Sequence, residues 1–100
     1  PTYEQEVVGI FAVTAEELGF DITCLREAFP DCEARRVVPG RRKRYKPCLI
    51  EFELYSSDYL RHAHPLSGCD LIVCWIHDWK DSPLEVLELR SAIRSLPGWR

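Results

Sequence analysis

Two glutamates stand two apart in an apolar, β-rich stretch, KPCLIEFELYSS, Lys46 to Ser57. Strand alternation puts Glu51 and Glu53 on one face with Leu49 and Tyr55, opposite Cys48, Ile50, Phe52 and Leu54. Upstream, FPDCEARR supplies Asp31 and Glu33, with nineteen residues between Asp31 and Glu51. Carboxylates gathered at one end of a sheet would offer hard oxygen donors to Mg²⁺ or Mn²⁺, with positions left for water and phosphate. Such a cation offsets carboxylate repulsion, lowers the pKa of a bound water and neutralises charge at a scissile phosphate. The plainer reading is a solvated sheet face on which the glutamates pair with Arg35 or Arg44 across a hairpin. Asp31 also suits a turn after Pro30. Glu33 fits either as a ligand or as a partner of Arg35.

The cations are concentrated next to these acids. Residues 35–46 carry Arg35, Arg36, Arg41, Arg42, Lys43, Arg44 and Lys46 and no acid. The overall charge is −3, so the rest of the chain is −10. This polarity suits local contact with a polyanion, and it equally suits a solvated hairpin tip. Within the first reading, Lys46, Arg35 or Arg36 would stabilise a phosphate or position a nucleophile.

These residues need a sheet to bring them together. One hundred residues with 46% hydrophobic content allow a single domain, 1–100, with one core. The order read from the sequence is α-β-β-β-α-β-α. A first helix runs from a capping box at Thr2 and Gln5, through Val7, Phe11 and Leu18, to Gly19. A short strand follows over Phe20, Ile22 and Cys24. Residues 32–38 and 46–55 form two antiparallel strands around a basic loop with Pro39-Gly40 as its turn. Ser56, Ser57 and Asp58 cap a short helix that ends before Pro65. CDLIVCWIHDW is a central strand buried on both faces. Ser82 and Pro83 open a last helix with Leu84, Leu87, Ile93 and Leu96 on its apolar side.

PD, nineteen residues and then EFE resembles the signature of the PD-(D/E)XK, or restriction-endonuclease-like, nuclease superfamily. The element order resembles that family's core over residues 3–77. The longer string FPDCEARR, IEFELYSSDYLRHAH, CDLIVCWIHDW and PLEVLEL is similar to a group of small bacterial proteins. The resemblance implies an α/β fold with a mixed central sheet flanked by helices, and a Mg²⁺- or Mn²⁺-dependent endonuclease activity. It makes Asp31 and Glu51 metal ligands. Glu53 stands where the family usually has lysine, which leaves Lys46 as the candidate replacement. The family's first-helix acid matches Glu16 or Glu17 only loosely. The alternative on the same fold is an inactive module that binds nucleic acid or a protein partner.

His62 and His64 are two apart, a spacing that does not align side chains on a helix, so a two-histidine metal site is not expected. A place at a helix C-terminus, or contact with a phosphate, is. Trp75 and Trp79 read as core and cover, and His77 and Asp78 as a strand-end turn. The partners expected are nucleic acid, DNA first, and a second copy of the chain, since cleavage of a duplex needs two sites. No run reaches the roughly 20 apolar residues of a membrane span. Five cysteines with no CxxC pair point to reduced thiols in a cytoplasmic protein.

Overall fold

The computed structural model describes residues 1–40 and 44–98. Arg41, Arg42 and Lys43, expected to contact nucleic acid, lie outside the described residues. The elements are α1 (Glu4–Thr14), β1 (Phe20–Leu25), β2 (Cys32–Val37), β3 (Tyr45–Tyr55), α2 (Asp58–Arg61), β4 (Leu71–Ile76), β5 (Glu85–Glu88) and α3 (Leu89–Arg94). They make one mixed five-stranded sheet in the order β1-β2-β3-β4-β5. The first three strands form an antiparallel meander. β4 and β5 run parallel to β3. The parallel step from β3 to β4 needs a crossover, and α2 sits in it.

α1 is amphipathic, with Val7, Phe11 and Thr14 buried at spacings of four and three. The expected capping box at Thr2 and Gln5 does not form: Tyr3 is the N-cap residue and makes no side-chain cap. The Thr2 N–H and hydroxyl both donate to Glu6 Oε1, at 2.8 and 2.9 Å. The helix ends at Thr14, and a turn closes on Gly19, whose φ of +91° is cheap only for glycine. α1 covers one face of the sheet. Phe11 sits 5.3 Å from the Phe20 ring and 5.5 Å from Phe52. Cys32, Ala34, Cys48, Ile50, Leu71, Val73 and Leu89 complete this core. A buried side chain of this size contributes about 1.5–3 kcal/mol. On the other face Tyr59 of α2 packs with Cys69, Ile72 and Cys74, backed by Phe29, Trp79, Leu84 and Val86.

The last expected helix is corrected. Residues 85–88 form β5, and only Leu89–Arg94 is helical. Val86 packs into the α2-side core while Leu87 packs into the α1-side core. Adjacent residues serving opposite faces require a strand, and the open edge of β4 supplies its hydrogen bonds. Helical propensity in PLEVLELRS yields to that pairing.

One buried serine fixes the connection that carries α2. Ser56 Oγ accepts the N–H groups of Asp78 and Trp79, each at 2.9 Å, and lies 2.7 Å from His77 Nδ1. The Asp78 carboxylate takes the Ser57 N–H and hydroxyl, both at 2.9 Å. The ends of β3 and β4 are therefore tied, and α2 leaves from a fixed point. Among the described residues no helix is long and apolar enough to cross a membrane.

Candidate functional site

β3 is longer than its neighbour. Its register with β2 runs from Val37 opposite Tyr45 to Cys32 opposite Ile50. Beyond Ile50, Asp31 meets the β2 side of β3. The Asp31 N–H donates to Glu51 Oε1 at 3.0 Å, and the Phe52 N–H donates to Asp31 Oδ2 at 3.0 Å. Two expected site residues, Asp31 and Glu51, are thus interlocked through backbone and side chain at the frayed end of the meander. A cleft of about 310 Å³, lined by Glu4, Gln5, Val8, Leu25, Asp31 and Phe52 among others, opens beside them.

Glu51 and Glu53 do not face solvent. Glu51 is 5% exposed and Glu53 is fully buried, on the face of the sheet covered by α2. Glu51 Oε2 lies 2.9 Å from His64 Nε2. Glu53 has its oxygens 3.0 and 3.3 Å from His62 Nδ1, and its Oε2 3.8 Å from His64 Nε2. The 3.0 Å approach to Oε1 lacks hydrogen-bond geometry, so that buried oxygen has no donor. Glu4, from the first turn of α1, reaches the same place, with Oε1 3.8 Å from His62 Nδ1. Among the described residues, two sets bring three potential ligand atoms within 4.8 Å of one another: Glu53 with His62 and His64, and Glu4 with Glu53 and Asp58.

The electrostatics follow from burial. Glu51 is pushed up to about 7, first by loss of solvent and then by the Asp31 charge. Burial pushes Glu53 well above the carboxylate range, and the neighbouring Glu4 adds to it. His64 is lowered by burial and by the adjacent His62. Asp58 is paired with Arg61. The two groups of carboxylates and imidazoles are the described residues that could hold a divalent cation.

Glu33 is elsewhere. It pairs with Leu49 in register and its carboxylate is taken by Arg26. Lys46 is corrected as a catalytic candidate. It is exposed near the opposite end of β3 and lies on the alternate face from Glu51. Five residues of strand separate the two by about 17 Å. Arg35 pairs with Asp21 and Arg36 with Glu85, so part of the expected phosphate grip is already bound to acids. Arg44 and Lys46 make no ion pair among the described residues.

Glu4 escaped the sequence reading, and His62 and His64 entered it as a helix C-terminus or a phosphate contact but not as metal ligands; His62 is the C-cap of α2. The expected first-helix acids, Glu16 and Glu17, follow Thr14 at the far end of α1, and Glu4 occupies the near end. The histidines were set aside because two-residue spacing splays side chains on a helix. α2 ends at Arg61, however, and Ala63 has φ +54°, so His62 and His64 fall in a turn with their rings 5.7 Å apart. HAHP could have signalled this, since Pro65 disfavours helix at His64. Comparison with protein-family models, with curated proteins and with solved structures found no match to this chain.

Proposed function

We propose that the protein is a Mg²⁺- or Mn²⁺-dependent hydrolase of nucleic-acid phosphodiesters built on a restriction-endonuclease-like core. The observation that carries this reading is the interlocked Asp31–Glu51 pair at the frayed end of β3, with the donorless Glu53 oxygen beside it. An antiparallel meander, a helical crossover and a parallel fourth strand support the fold assignment. The residues fit a divalent cation, because a buried carboxylate oxygen without a donor is costly unless protonated or bound to a cation. Asp31, Glu51 and Glu53 would hold it. When bound, the ion supplies charge neutralisation at the phosphate and a water of lowered pKa.

The chain's own residues do the rest. The Phe52 N–H fixes the Asp31 carboxylate, and the Asp31 N–H fixes Glu51. Glu51 Oε2 lies 2.9 Å from His64 Nε2, so the imidazole can orient the Glu51 carboxylate in the metal-free site. Glu53 replaces the family's lysine, and imidazoles rather than Lys46 are its neighbours. Arg44 and Lys46 stand about 17 Å or more along β3, a reach of about five base steps at 3.4 Å each. They would contact the backbone away from the reacting phosphate. A homodimer would place two such sites on a duplex.

The test is cleavage of duplex and single-stranded DNA with Mg²⁺ or Mn²⁺. Cleavage should fall at least about 100-fold in Glu51→Ala, the scale of losing a key transition-state group. Undiminished cleavage in that variant would sink the assignment. A second reading, a non-catalytic nucleic-acid-binding module, is favoured by one observation: among the described residues the only lysine or arginine paired with this cluster is Arg61, on Asp58. Calorimetry that finds neither Mg²⁺ nor Mn²⁺ bound would select it.

A further inference from the structure

We infer that Glu53, His62 and His64 form a binding site for a divalent transition-metal ion of the Zn²⁺ class, distinct in chemistry from the all-oxygen Mg²⁺ position proposed at Asp31, Glu51 and Glu53. The site shares Glu53 with the hydrolytic reading but does not depend on hydrolysis.

Three observations converge on it. The first is spacing. Zinc–nitrogen and zinc–oxygen bonds of about 2.0–2.2 Å in a tetrahedral site set neighbouring ligand atoms about 3.3 Å apart. His62 Nδ1 lies 3.0 and 3.3 Å from the Glu53 oxygens, and His64 Nε2 lies 3.8 Å from Glu53 Oε2. All three ligand atoms lie within 4.8 Å of one another, which leaves a fourth position for water or a further oxygen.

The second is the donorless Glu53 Oε1. It is fully buried and points at an imidazole nitrogen without a hydrogen bond to it. A lone pair in that position is satisfied by a cation between the two groups.

The third is that the chain holds the His64 ring in place and turns His62 to the same side. His64 stacks on Phe29 at 4.8 Å and meets the Tyr59 ring edge at 5.2 Å. Ala63 takes a left-handed φ of +54°, which brings two histidines of unfavourable spacing to one side. That conformation is unfavourable for a residue with a Cβ and persists only where its surroundings impose it. Imidazole nitrogen discriminates among ions: it suits Zn²⁺, Co²⁺ and Ni²⁺, whereas Mg²⁺ keeps to oxygen and water. Glu51 Oε2, 2.9 Å from His64 Nε2, is the nearest further oxygen donor.

The experiment titrates the untagged full chain with Co²⁺ alone, read by visible d–d absorption, and with Zn²⁺ in competition with a chromophoric chelator. One ion should bind per chain and should persist in a large excess of Mg²⁺. His62→Ala and His64→Ala should each weaken binding at least about 10-fold. Circular dichroism confirms that these variants fold, and Glu53→Gln provides an independent third lesion. Glu33→Gln, away from the cluster on Arg26, should keep Co²⁺ affinity within about threefold, well inside one tenfold step. The inference is overturned by any of three results: no Co²⁺ or Zn²⁺ binding, histidine variants that bind like the wild type, or thiolate-to-metal charge-transfer bands that place the ion on cysteine. Absence of DNA cleavage would overturn the hydrolytic reading and leave this site standing.

Discussion

The two ends of β3 treat charge in opposite ways. At its start, Tyr45, Lys46 and Pro47 are exposed, and the arginines of β2 beside them meet Asp21 and Glu85 in water. At its end, Glu51 and Glu53 are buried against α2, with imidazoles and other carboxylates for company. One strand thus carries a solvated end and a desolvated end about 17 Å apart. Exposed ion pairs are worth about 0–1 kcal/mol and can be removed cheaply. A buried carboxylate without a donor is unfavourable wherever it ionises, and it marks the end of the strand where a ligand gains most.

The sharpest test of this contrast is Glu51→Ala, in which metal-dependent cleavage should collapse as described above. A smaller effect, on stability, should follow from Ser56→Ala. That change strips the acceptor from two N–H groups, those of Asp78 and Trp79. Chemical denaturation should show a loss of about 1–2 kcal/mol, the cost of losing two half-buried hydrogen bonds. A loss below about 0.5 kcal/mol would mean that water replaces the hydroxyl and that this end is wetter than its burial implies.

Glu53→Gln tests the sign of the electrostatics. The folded pKa of Glu53 is raised above its ordinary 4.5, so its protonated form favours the folded state. That contribution is complete below about pH 4.5 and is lost as pH rises toward the folded value. Glutamine cannot ionise. The metal-free variant should therefore exceed the wild type at pH 8 by at least about 1 kcal/mol, or about 4 °C in Tm, and the gap should shrink toward pH 4.5. Thermal melts at the two pH values measure it. Saturating Zn²⁺ should reverse the order, because the carboxylate then has its cation.

The smallest effect belongs to the solvated end. Lys46→Ala should weaken DNA binding slightly and reduce the slope of log K against log salt by about one. It should leave kcat within about threefold, since a phosphate contact of this kind adds ground-state binding alone. A large fall in kcat would show that the two ends of β3 work on the same phosphate.

Much of the scaffold was legible because it rests on local patterning. Alternation in CEARRVV and in CLIEFELY located β2 and β3, and Pro39-Gly40 marked the hairpin between them. The continuous apolar run at Leu71–Ile76 marked the central strand. PLEVLELRS misled, because its leucines fit a helix face locally while the vacant edge of β4 decided the outcome. The acids were legible as a pair but not as a buried pair. Their burial depends on Tyr59 and the turn after α2, fifty-five or more residues of chain away from Glu4, which closes the same pocket.

The sequence by itself determined the strand that bears Glu51 and Glu53, its hairpin partner with Asp31 at the mouth, and the separation of cations from acids along the chain. These are properties of period-two alternation and turn chemistry, which act within a few residues. Only the tertiary structure decided which side chains complete the acidic pocket. It brought in Glu4, His62 and His64, sent Glu33 to Arg26, and left Lys46 at the far end of the strand. Those choices turn on strand register, on which face each element covers and on one left-handed residue at Ala63, none of which local spacing encodes.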